Sequence, residues 1–107
     1  MTALHRMRQY QQQAARSASP EQLVGTLYDL GIAACYREDR PKVRAVLKEL
    51  LAGLDFARGG EIAGRLHAIY TYCLTESALG DLASVAELLE GLREAWAEGV
   101  LARRPAA

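Results

Sequence analysis

Apolar residues recur at three- and four-residue spacing in one segment of this chain after another, and nowhere does the period of two needed by a half-buried strand appear. The pattern is clearest in Val43, Val46, Leu47, Leu50, Leu51 and Leu54. A helix with such a stripe is stable only when the stripe is buried against other helices, so the chain has to be a helical assembly. Half of its 107 residues are apolar, enough for one compact core but not for two.

Proline and glycine divide the pattern into four strong helical segments preceded by a weaker one. Residues 3–15 are polar and Gln-rich, and they read as a short helix or a mobile arm. Ser19, Pro20, Glu21 and Gln22 form a helix start, in which the hydroxyl accepts from an orphan N–H, proline fits the first turn and Gln22 completes a capping box. The first long helix then runs to about Tyr36 with Leu23, Leu27, Leu30 and Ala34 on its main face. Pro41 restarts the chain for the second helix, and Gly59 and Gly60 are expected to make the turn that ends it. Ile62, Leu66, Ile69, Tyr70, Cys73 and Leu74 define the third helix, which fades near Gly80. Asp81 caps a fourth carrying Leu82, Val85, Leu88, Leu89, Leu92 and Trp96. Short gaps force sequential helices to pack antiparallel. The predicted fold is all-α, an up-down-up-down four-helix bundle over residues 19–100, with an N-terminal arm over 1–18 and a frayed tail over 101–107.

Thirteen basic residues balance thirteen acidic ones, which removes the overall field that would hold the chain to nucleic acid or an anionic membrane. The charges are unevenly placed. Arg6, Arg8 and Arg16 stand without an acid in residues 1–20, whereas residues 59–99 carry seven acids against Arg65 and Arg93. Solvated helix surface accounts for this distribution, and a steering patch for a charged partner is the sharper alternative. No window reaches the roughly 18 apolar residues of a membrane span, and Met1–Gln13 lacks the apolar core of a signal peptide, so a cytoplasmic location is expected.

No catalytic or metal constellation is visible. His5 and His67 lack a Cys, Ser or acid partner at a useful spacing, Cys35 and Cys73 have no CxxC pattern, and Gly59-Gly60 lacks the flanking residues of a phosphate loop. The two cysteines sit in apolar helical surroundings. Spacing alone leaves a disulfide open, and two buried thiols in a reducing compartment are the preferred reading. The expectation is a binding protein that is no enzyme and needs no cofactor or metal.

The string Ser17-Ala18-Ser19-Pro20-Glu21-Gln22-Leu23-Val24, followed by Leu27-Tyr28-Asp29, resembles the opening of the first long helix of the FliS flagellin-export chaperones. Leu54-Asp55, then Gly59-Gly60-Glu61-Ile62-Ala63 with Leu66, Ile69-Tyr70 and Tyr72, resembles that family's turn into its third helix. Leu88-Leu89, Leu92-Arg93 and Ala95-Trp96 resemble its final helix, and Tyr10-Gln11-Gln12 its N-terminal arm. The order of these strings carries the resemblance. It implies an antiparallel bundle that holds the disordered C-terminal segment of flagellin, prevents premature polymerisation and presents the subunit to the flagellar export machinery. Between Tyr28 and Leu54, and between Tyr72 and Leu88, the chain is shorter than typical members by roughly one to two turns per helix, which trims the same end of the bundle twice.

Binding by such a bundle requires apolar grooves that a disordered segment fills as it folds. Candidate partner-binding residues lie off the main stripes: Tyr10 on the arm, Ile32 and Tyr36 on the first long helix, Val46 on the second and Tyr72 on the third. Each reads equally as ordinary core or as an isolated surface residue. Tyr10 stands out because it lies in a polar arm where core packing explains little. Two other classes of function remain: a structural or regulatory bundle that self-associates, for instance as a homodimer, and, less favoured, a nucleic-acid binder using the basic arm and Arg103-Arg104.

Overall fold

The computed structural model describes residues 20–102, and all of their regular structure is helical. Four helices follow one another: α1 (Pro20–Tyr36), α2 (Arg40–Ala52), α3 (Phe56–Leu79) and α4 (Leu82–Ala102). Connections of two or three residues leave no room for crossovers, so each helix reverses onto its predecessor. The bundle closes because α1 packs on both α2 and α4, and α3 packs on α2. Of the neighbouring pairs, α3 and α4 share the least contact, which leaves one seam thin. The arm, Tyr10, the Ser19 cap and Arg103–Ala107 lie outside the described residues.

The starts of α2, α3 and α4 are fixed locally. The Asp39 carboxylate accepts from the Lys42 N–H at 3.2 Å, with Pro41 in the first turn of α2. Asp55 does the same for α3, accepting from the Arg58 N–H at 3.1 Å. Asp81 caps α4 as the sequence predicts, accepting from the Ala83 N–H at 2.9 Å and from the Ser84 hydroxyl at 3.0 Å.

The expected turn at Gly59 and Gly60 is corrected by the structure. α2 ends at Ala52, and the reversal is made by Gly53, Leu54 and Asp55. Gly53 continues the hydrogen bonding with its N–H on the Glu49 carbonyl, and Asp55 then opens the next helix. Gly60 instead breaks α3 after its first turn, with φ 51° and ψ −122°, a conformation that a residue with a Cβ resists. Among the described residues Glu38 also has a positive φ, 56°, in the α1–α2 turn, where the sequence offers no glycine.

The core is built from the predicted stripes. Leu27, Tyr28 and Ala34 of α1 meet Val43, Val46, Leu47 and Leu50 of α2, Tyr70 and Cys73 of α3, and Leu82, Val85 and Leu89 of α4. Gly31 lies where α1 faces both α2 and α4 closely: a Cβ there would stand 3.0 Å from Leu89 Cδ1 and 3.2 Å from Val46 Cγ1. Cys35 and Cys73 are free, buried thiols, in keeping with the preferred reading of their surroundings.

The α1–α2 and α3–α4 turns lie at the same end, held together by two arginines of α2. Arg40 donates to the carbonyls of Ser77 at 3.2 Å and Gly80 at 2.8 Å, and Arg44 to the Leu74 carbonyl at 2.9 Å. These carbonyls lie at and just beyond the C-terminal end of α3, which carries the negative end of its dipole. Ser77, the buried polar side chain here, donates to the Leu74 carbonyl at 2.6 Å and accepts from Arg44 at 3.2 Å, so its burial leaves nothing unmet.

Candidate functional site

At the opposite end of the bundle α1, α3 and α4 do not close over one another. An apolar recess of about 630 Å³ lies between the start of α1, the α2–α3 turn, the first half of α3 and Trp96 of α4. Its walls include Leu23, Val24, Leu54, Ile62, Leu66 and Trp96, and its rim carries Glu49, Asp55 and Arg58. Ile62 keeps 62 % of its surface exposed although it sits on the predicted stripe of α3. An apolar chain that covers this hydrocarbon gains roughly 25 cal/mol for each Å² removed from water.

Two phenols form part of the lining. Tyr28 and Tyr70, 1 % and 2 % exposed, share a hydrogen bond of 2.6 Å between their hydroxyls. Burial, the largest cause in both, raises their pKa values above the ordinary 10, so both remain neutral at physiological pH. The Trp96 ring stands edge-on to Tyr28, with centroids 6.5 Å apart, and forms the α4 side of the recess.

The four described candidates from the sequence do not line this recess. Val46 is wholly buried in the core beside Gly31, and Ile32 is partly buried against the core. Tyr72 is half exposed on α3. Tyr36 lies at the far end, 70 % exposed, where its hydroxyl donates to Glu90 and it borders a smaller hollow of about 340 Å³. The recess residues that sequence reasoning missed, Leu23, Leu66 and Trp96 among them, look identical to core residues because they belong to the same stripes. Their available signal was position: they cluster at the starts of α1 and α3 and toward the end of α4, which an antiparallel arrangement brings to one end.

Among the described residues no group of His, Cys, Asp or Glu is placed to hold a metal ion, and no helix is long and apolar enough to cross a membrane. Fold and recess together define a helical-bundle protein whose concavity is walled by hydrocarbon. Residues 3–103 match the family model described as flagellar protein FliS. A curated relative, the flagellar secretion chaperone FliS of Campylobacter jejuni, is 30 % identical over 110 residues, covering 83 % of this chain and 86 % of the relative. No solved structure gives a significant match. The chain belongs to the FliS family, and as a member it is a flagellar protein and not an enzyme.

Proposed function

We propose that this chain is a cytoplasmic export chaperone that takes up the disordered C-terminal segment of flagellin, keeps it from polymerising early and delivers it to the flagellar export machinery. The observation that carries the reading is the apolar recess, open at one end of the bundle and bordered by exposed Ile62 and partly buried Leu66 and Trp96. The name of the Campylobacter jejuni relative supports a secretion role for the occupant. A disordered segment with apolar residues at helical spacing covers such a recess as it folds, and no chemical step is needed.

Capture of the host's own flagellin from solution, with and without its C-terminal segment, tests the proposal. Full-length flagellin is retained and the truncated form is not. Equal retention of both, or of neither, overturns it.

A further inference from the structure

We infer that residues 53–60 form a hinged strap along one side of the recess, closed in this structure, which swings outward to admit the C-terminal segment of flagellin. A helix rises by a fixed amount per residue, so Phe56 and His67 would stand about 16 Å apart along a straight α3. Their ring centroids lie 5.9 Å apart instead, because Gly60, at φ 51° and ψ −122°, folds the first turn of α3 back along the rest of the helix. The fold-back sets Leu54, Asp55, Arg58 and Gly59 against the recess as one of its walls. This wall is weakly anchored. No residue within 51–62 is buried, and among the hydrophobic side chains of the strap Leu54 is the one packed, partly buried, against the core.

The strap carries its own internal bonds. The Asp55 carboxylate accepts from the Arg58 N–H at 3.1 Å, and the Asp55 carbonyl accepts from the Gly59 N–H at 2.7 Å. A piece braced in this way moves as a unit, and both of its ends are glycines: Gly53 at the close of α2, and Gly60, where the backbone has a positive φ and a Cβ would meet nothing within 4 Å. Its latch is the contact between the exposed rings of Phe56 and His67, together with Leu54. The other end of the bundle is built differently, since Arg40 and Arg44 tie α2 to the carbonyls that end α3. Local opening follows the end with fewer buried contacts. An outward swing lifts Leu54 from the recess and widens it, and apolar side chains of the incoming segment take the place that Leu54 leaves. Only this use of the motion rests on the proposed function; the hinge itself stands apart from that reading.

Nuclear magnetic resonance on the isotope-labelled full chain tests the hinge without any client. The Leu54 methyls and the Phe56 ring show exchange on the microsecond-to-millisecond scale, and the methyls of fully buried Leu47 do not. His67→Ala removes the ring contact and raises the open population at Leu54 by about twofold or more. Gly60→Ala, driven out of the positive-φ setting, loses the Phe56–His67 ring-to-ring cross-peak. Association with the C-terminal segment of flagellin is about twofold or more faster in His67→Ala. Quiet Leu54 methyls, an open population unchanged by His67→Ala, or a full ring cross-peak in Gly60→Ala overturns the hinge. Should Gly60→Ala not fold, the unaltered chain and His67→Ala still decide. A larger open population with an unchanged association rate overturns the strap's part in admission. Strap exchange as described, with no flagellin bound by any of the proteins, would sink the functional proposal and leave the hinge standing.

Discussion

The hydroxyls of Tyr28 on α1 and Tyr70 on α3 meet at 2.6 Å across the diagonal of the bundle, joining two helices that otherwise touch little. The contact replaces hydrocarbon packing at the centre with one directed bond, and it fixes how far apart α1 and α3 stand below the recess. Removing one partner leaves a buried hydroxyl unmet, whereas removing both leaves two well-sized rings. Tyr28→Phe and Tyr70→Phe should therefore each lower stability by about 1–2 kcal/mol, and the double variant by clearly less than their sum. Chemical denaturation of the four proteins measures the coupling, and strict additivity would refute it.

Alkaline pH should destabilise the protein in two stages. Burial, then the neighbouring Cys35 and Glu76, push the Cys73 thiol from its ordinary 9.0 up to about 11. Between those values the unfolded chain has lost this proton and the native chain keeps it, so stability is fully present below pH 9 and falls as pH rises toward 11. The full shift corresponds to about 2–3 kcal/mol. Above pH 10 the raised phenols of Tyr28 and Tyr70 add to the decline with the same sign. Cys73→Ala should have a lower baseline and a shallower slope between pH 9 and 11 in denaturation midpoints, and an unchanged slope would contradict the assignment.

Gly31 and Gly91 should respond oppositely to alanine. At Gly31 the new methyl meets Leu89 of α4 at 3.0 Å and Val46 of α2 at 3.2 Å, and both side chains are fully buried, which leaves them little room to give. Net destabilisation of about 1 kcal/mol is expected, the crowding outweighing the gain in helix propensity. At Gly91 nothing lies within 4 Å, so Gly91→Ala should stabilise by up to about 1 kcal/mol. Thermal melting of the two variants should move in opposite directions.

Arg40 is not replaceable by lysine. Its two terminal nitrogens reach two different carbonyls, Ser77 and Gly80, and a single ammonium cannot reproduce that fork. Arg40→Lys and Arg40→Ala should each cost about 1–2 kcal/mol, with amide exchange speeding up first around the α3–α4 turn. Full rescue by lysine would show that charge alone matters.

Ile62→Asp places a charge on the recess wall at a position already 62 % exposed. Flagellin capture should fall at least about tenfold while the melting temperature changes little, because the native state buries little there. A large drop in melting temperature with capture preserved would place Ile62 in the core and not at the site.

The four helices and the cap at Asp81 were legible because helical period, capping and chain breaking are local: a stripe at three-four spacing and a carboxylate before it act on neighbours a turn away. Even so, the double glycine at Gly59-Gly60 misplaces the second reversal, since Gly53 and Asp55 together end one helix and begin the next before that pair is reached. The site was not legible. Leu66 and Trp96 lie on the same stripes as Tyr70 and Leu89, and nothing along the chain distinguishes an apolar residue that a neighbouring helix covers from one it fails to reach. Likewise, Tyr28 and Tyr70 stand 42 positions apart, and their shared proton exists only once α1 and α3 face each other. The sequence by itself determined that the chain forms amphipathic helices joined by tight turns, because those depend on contacts within a few residues. Only the tertiary structure decided where the hydrocarbon remains uncovered and which hydroxyls meet, because both depend on the distance between helices, which no local pattern encodes.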